Sequence, residues 1–238
     1  MSYKNSSLQL NQVSFQFTPQ SSFFFNDLSV TFSPRAVHFI QGQNGVGKST
    51  FFRILQGKID HTEQASGSII LNGISYNLAN SSAYELAQHI KFVQQKFDTM
   101  LADQFTFEEN LRCAALPKYP ILAGLPNHAP IPPFISRFGI DPKQPVKSLS
   151  GGQRQILAIL MALQKPTHIL LLDEPTAALD MKNAHMVMEF LHELVSATGI
   201  TVLIICHNPE LVKAYAKHGH FYMTVDSNQL RSIEFDQE

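Results

Sequence analysis

The octet Gly42-Gln43-Asn44-Gly45-Val46-Gly47-Lys48-Ser49 sets three glycines, a lysine and a hydroxyl where an apolar stretch gives way to a helical one. Glycines let the backbone wrap tightly, so that successive N–H groups point inward at phosphate oxygens. A helix starting near Lys48 adds the positive end of its dipole. In that reading Lys48 bridges the β- and γ-phosphates of a nucleotide and the Ser49 hydroxyl ligates Mg2+. The plain alternative is a Gly-rich turn before a helix.

A second group of residues complements this loop. Leu170-Leu171-Leu172 forms a buried apolar run that delivers Asp173 to the carboxyl edge of a sheet, where it can serve the metal's hydration shell. Glu174, one residue on, faces the other way by strand alternation and can accept a proton from an attacking water. A third group, Ser150-Gly151-Gly152-Gln153, opens a helix and makes a second anion-seeking N-terminus in one chain. One ATP needs only one phosphate loop, so the second element makes sense if it serves the ATP of another copy; an ordinary Ser-capped helix is the alternative.

These groups need a scaffold, and the apolar spacing supplies one. Residues 8–33 alternate apolar and polar, which predicts antiparallel strands. Short apolar strands are expected over Ala36–Ile40, Gly67–Gly73, His168–Leu172 and Ile200–Cys206, with another ending near Val93. Helices are expected over Lys48–Gln56, Ala83–Gln88, Phe107–Ala115, Gly151–Leu163 and Met181–Ala197, the last stopped by Gly199. Strands alternating with helices imply an α/β fold with a mainly parallel sheet. Prolines at 117, 120, 126, 130, 132 and 133 exclude continuous helix there, and shape either a partner surface or a passive loop.

Composition narrows the function. Eighteen Lys+Arg against nineteen Asp+Glu leave no basic excess of the kind a nucleic-acid surface requires. No run approaches the ~20 apolar residues of a membrane span, and Met1 to Ser7 lacks the apolar core of a secretory signal. A cytoplasmic protein that works at a membrane only through partners is expected. Cys206 closes an apolar run and reads as a buried reduced thiol.

Together these strings resemble the nucleotide-binding domain of the ABC family, over essentially the whole chain and in the family's order. The resemblance implies a P-loop NTPase (RecA-like) core with an N-terminal antiparallel β subdomain and an inserted α-helical subdomain. It divides residues 1–238 into a core (1–95 and 164–238) and a helical segment (96–163). Gly42, Asn44, Gly45, Gly47, Lys48, Ser49 and Thr50 fall in the Walker A loop, Asp173 in Walker B, Glu174 at the catalytic carboxylate, and Ser150 to Gln153 in the signature. Ala178-Leu179-Asp180 resembles the D-loop, His207 the switch histidine, Gln95 rather than Gln94 the Q-loop glutamine that also touches the metal, and Phe17 the adenine-stacking aromatic. Phe17 as a packing ring, Gln95 as an exposed amide and His207 as a helix cap stay open as alternatives. Phe105 to Leu111 resembles the start of the helical subdomain.

The family's implied cofactors are ATP and Mg2+. Its implied partners are a second copy or a closely related cassette, integral membrane permease subunits in separate chains, and an extracytoplasmic substrate-binding protein for an importer. The chain would then sit at the inner face of the cell membrane as a transporter ATPase. A soluble assembly ATPase, as in iron–sulfur cluster biogenesis, is the competing use. Leu160-Met161-Ala162 and Thr176 to Asp180 resemble importers grouped with aromatic-amino-acid systems. The chain departs from the family at Arg35-Ala36, where Gly-Glu is usual and the change is expected to be harmless. It departs again at Ile156 and Met161, where arginines are common and polar links near the nucleotide interface are lost.

Overall fold

The computed structural model describes residues 7–80, 82–116, 130–217, 219–227 and 229–236. Strand β1 (Leu8–Gln16) lies between β2 (Phe25–Phe32) and β4 (Gln64–Leu71), antiparallel to both, and β5 (Ile74–Asn77) folds back on β4 at the Asn72-Gly73 turn. β6 (Ile90–Val93), β7 (Ile169–Asp173), β8 (Thr201–Ile205) and β3 (Val37–Gly42) run parallel as neighbours. The hairpin of β9 (His220–Val225) and β10 (Arg231–Asp236) joins the halves, because β9 pairs with β3 and β10 touches β2. The result is one sheet in the order β5-β4-β1-β2-β10-β9-β3-β8-β7-β6.

The parallel strands read as unbroken apolar runs because both their faces are covered. Leu170 and Leu172 of β7, with Val202 and Ile204 of β8, enter one core; Ile169 and Leu171, with Leu203 and Ile205, enter the other. α1 (Lys48–Leu55) fills the second core with Phe51, Phe52, Ile54 and Leu55. α3 (Phe107–Ala114), α4 (Gly151–Ala162) and α5 (Met181–Thr198) fill the first. Leu191 of α5 is fully buried, and its truncation to Ala would cost about 2–5 kcal/mol through lost transfer energy and the cavity left behind. α2 (Ser82–His89) precedes β6, and α6 (Pro209–Tyr215) follows β8.

Three helix starts have a local cause in a side-chain cap. Thr106 and Glu109 form a capping box on α3, Ser150 and Gln153 do the same on α4, and Asp180 caps α5. The expected helices and strands are present within a few residues. β5, α6 and the β9–β10 hairpin are additions that no sequence signal identified. Pro117, Pro120 and Pro126 lie outside the described residues. Pro130, Pro132 and Pro133 lead into a 3-10 turn, Ile135–Phe138, whose Ile135 and Phe138 reach the first core. Ile156 is fully buried and Met161 packs against the same core. Where polar links were expected to be missing, α4 is held by apolar contact. Arg35 holds φ +56, a left-handed conformation that favours glycine, so replacing the family's glycine there carries a strain that the sequence reading called harmless.

Candidate active site

β3 ends at Gly42, and residues 43–47 carry the chain into α1. Gly42 has φ +147, and a Cβ there would lie 2.6 Å from the carbonyl oxygen of Met223. Gly47 has φ +114, and a Cβ there would lie 2.6 Å from Phe24 Cε1. Glycine is therefore demanded at both ends of the loop, by backbone conformation and by space. Asn44 and Gly45 stand exposed at its tip, while Thr50 is half-buried. Lys48 is only 7% exposed, and its Nζ donates to the carbonyls of Gly42 at 2.8 Å and Gln43 at 2.9 Å. Burial pushes its pKa down, against the pull of the Glu174 and Asp173 carboxylates that favours the ammonium.

β7 brings Asp173 to the same edge, where it accepts a hydrogen bond from the Ser49 hydroxyl. Burial and the charge of Glu174 push the Asp173 carboxyl up, opposed by Lys48, His207 and the Ser49 bond. Glu174 corrects the expectation of simple strand alternation. The strand ends at Asp173, Glu174 takes φ +50, and its N–H donates to Ile205 O at 3.0 Å. A turn, rather than the pleat, aims its side chain. His207, just past β8, places Nε2 3.1 Å from Glu174 Oε1, and Gln95 Nε2 donates to Glu174 Oε2 at 3.2 Å. Gln94 Nε2 instead donates to the carbonyl of Lys96, two residues on, at 3.3 Å.

Lys48, Ser49, Gln95, Asp173, Glu174 and His207 are thus brought together. Ser49 and Asp173 meet as a hydroxyl and a carboxylate, both oxygen donors. Such a hard set fits Mg2+. Among the described residues no three His, Cys, Asp or Glu side chains group to hold a metal by themselves. Phosphate oxygens and water would complete the shell, as is usual for this ion.

The Ser150 group stands apart. Among the described residues no hydrogen bond or ion pair joins Ser150, Gly151, Gly152 or Gln153 to the Gly42–Ser49 loop; Ser150 Oγ donates to Asn183 Oδ1 at 3.0 Å, and Gln153 Nε2 to the carbonyls of Phe138 and Gly139. Asp180 accepts from the backbone N and side-chain amide of Asn183, at 2.8 and 2.9 Å. Asn183 therefore links Asp180 to Ser150 within one chain. The sequence reading missed it, although its place three residues after a capping Asp was the available signal. Phe17 is 41% exposed, edge-on to Phe15 and Phe24 at centroid separations of 5.1 and 5.0 Å. Phe24, in turn, is the ring that Gly47 accommodates, so Phe17 sits one ring from the loop. Cys206 is buried and unbridged.

The sequence profile described as ABC transporter matches residues 25–177. The chain belongs to the ABC transporter family. This ABC chain carries the family's ATP-binding domain. It is 34% identical over 188 residues to a Photobacterium profundum protein described as an ABC transporter ATP-binding protein, covering 75% of this chain and 30% of that one. It is 31% identical over 221 residues to the methionine import ATP-binding protein of Protochlamydia amoebophila, covering 88% of this chain and 62% of that one. The chain thus spans less than two thirds of the length of either relative. Among solved structures, cbiO1 of Clostridium perfringens, part of the ABC transporter complex cbiONQ, superposes with a TM-score of 0.72 at 25% identity, covering 92% of this chain and 85% of that one. The α/β P-loop NTPase fold expected from the sequence is the fold that this ABC chain has.

Proposed function

We propose that this chain binds and hydrolyses MgATP as the motor subunit of a transporter, paired head to tail with a second copy. Each ATP would lie between the Lys48 loop of one copy and the Ser150 signature of the other. One observation carries the reading: Lys48, Asp173, Glu174, Gln95 and His207 converge at one strand edge, while Ser150–Gln153, the other phosphate-seeking element, has no bond to it. Two copies facing each other would let one nucleotide use both elements.

Lys48 offsets phosphate charge, and the loop N–H groups hold the β- and γ-phosphates in place. Ser49, Asp173 and Gln95 would hold Mg2+, which would neutralise charge on the phosphate oxygens. Glu174 takes a proton from water as its oxygen bonds to the γ-phosphorus; the bond to the bridging oxygen breaks, and the electron pair leaves on ADP. His207 orients the γ-phosphoryl group, and Phe17 stacks on adenine for about 1 kcal/mol. Contacts that exist only while the γ-phosphate bridges the copies give closure its driving force, through differential affinity. Asp180 would border that shared interface, and α3 and α4 would belong to the lobe that moves.

The relatives named as import ATP-binding proteins favour membrane permease subunits as partners and a place at the inner face of the cell membrane; among the described residues no helix is long and apolar enough to cross a membrane. The import function in a relative's name favours an importer with an extracytoplasmic substrate-binding protein. The test is light scattering on Glu174→Gln with MgATP, alone and with the permease. Dimer mass that Lys48→Ala abolishes supports the reading; a strict monomer under both conditions overturns it.

A further inference from the structure

Arg154 follows the signature by one residue, and its guanidinium is spent on a different segment of the chain. Its Nε donates to Asp98 Oδ1 at 3.1 Å, and its Nη2 lies 3.0 Å from both Asp98 Oδ1 and Asp103 Oδ1. Asp98 stands three residues after Gln95, across Phe97, which is buried in the first core. The same segment also holds the approach to the signature. Lys147 N donates to Asp103 O at 3.1 Å, and Val146 N donates to Phe105 O at 2.9 Å. Asn110, itself 2% exposed, stiffens it by bonding both the N–H and the carbonyl of Ala102. Residues 98–105 therefore grip the signature on both sides, at Val146-Lys147 before it and at Arg154 after it.

Isolated surface ion pairs contribute little to stability, and the two aspartates are 65% and 52% exposed. The Arg154 side chain is only 21% exposed, however, and one planar fork bridges two carboxylates, which fixes direction as well as proximity. A lysine, with a single point charge, has no such geometry.

We propose that Arg154 is a positioning residue: it locks the signature helix to the Gln95 segment, so that a shift of Gln95 at one nucleotide moves the signature that faces the other. The path is continuous within the chain, from Glu174 Oε2 through Gln95 and Phe97 to Asp98, and across the ion pair to Arg154, Gln153 and Ser150. This inference rests on the shared-nucleotide reading above.

The test uses the full chain carrying Glu174→Gln. A fluorescent ATP analogue reports nucleotide affinity, and light scattering across MgATP concentrations reports dimer formation. In Arg154→Ala, affinity should stay within about twofold, while the MgATP needed for half-maximal dimer rises roughly three- to tenfold, the scale of one partly buried charged contact. Asp98→Asn/Asp103→Asn should do the same, and combining all three should add nothing further. Arg154→Lys should recover part of the loss. Because both aspartates are exposed, their double variant keeps the test open even where Arg154→Ala folds poorly. Unshifted dimer formation in either the Arg or the Asp variant overturns the proposal, as do losses that multiply. A parent that never dimerises removes the shared-nucleotide reading itself, and the lock with it.

Discussion

His207 Nε2 approaches Oε1 of Glu174 at 3.1 Å, while the other carboxylate oxygen is taken by Gln95. Asp173, one residue back, instead accepts from Ser49, while Lys48 lies in the field of both carboxylates. Two adjacent carboxylates thus acquire separate hydrogen-bond partners. The turn at Glu174 produces this separation, because it points one side chain at the ends of β6 and β8 and leaves the other beside the phosphate loop.

Replacing Glu174 by Gln keeps the volume and a carbonyl for Gln95. Binding of MgATP should persist, whereas turnover should fall about 10²–10⁴-fold, the usual worth of a general base. Phosphate release and a nucleotide titration on the same preparation check both halves. Wild-type turnover would remove Glu174 from its role.

Gly152→Ala should destabilise the chain, against the ordinary rule for helices. Alanine in a helix gains up to about 1 kcal/mol over glycine. Here the added Cβ would lie 2.9 Å from Asn183 Oδ1 and 3.1 Å from Asn183 Cβ, and overpacking of this kind typically costs about 1–3 kcal/mol. Denaturant melts of Gly152→Ala with and without Asn183→Ala form the test cycle. The penalty should shrink when Asn183 is truncated; an equal penalty in both backgrounds would place the strain at the Cβ and carbonyl oxygen that the truncation keeps, rather than at Oδ1.

The candidate residues that the fold brings to one strand edge could be picked out because they lie in short local strings whose order resembles the family's. Gln95 could be chosen over Gln94 from the strand before it. What the sequence hid depends on distance across the fold. Asn183 gains meaning only when α5 passes Gly152, and Arg154 only when the loop after β6 returns to α4. The β9–β10 hairpin lacked a signal for a related reason: β10 alternates weakly, and β9 is fixed by pairing with β3, far away in sequence. Arg35 shows the opposite failure. Its position looked neutral by residue type, and only the backbone dihedral reveals the strain.

Stability should decline as pH falls through about 6.5. Burial pushes His168 and His192 below the usual imidazole value; His89 adds to the first and Lys217 to the second, while the Tyr215 carbonyl opposes the shift at His192. A depressed base binds its proton more readily once unfolded, so folding stability is full above the ordinary pKa of about 6.5 and is lost below it. Asp173 acts in the opposite sense, because its raised pKa makes the folded chain take up a proton sooner. Comparison with His192→Phe cancels that contribution and keeps the stacking on Tyr215. The drop in melting temperature between pH 8 and pH 5.5 should be smaller in the variant; an identical drop would clear His192 of any part in it.

Arg35→Gly should stabilise the chain. An L-residue held in the left-handed region costs about 1–2 kcal/mol, and glycine enters it freely. Glycine also widens the unfolded ensemble, which returns part of that gain, so a net of about 0.5–1 kcal/mol is expected. The Arg35 N–H bond to Thr201 Oγ1, at 3.0 Å, survives because it belongs to the backbone, and the exposed side chain makes no ion pair among the described residues. For a chain of this length the gain corresponds to roughly 1–4 °C in melting temperature. Differential scanning calorimetry decides the sign: a lower midpoint for Arg35→Gly would mean that the guanidinium contributes more than its backbone strain costs.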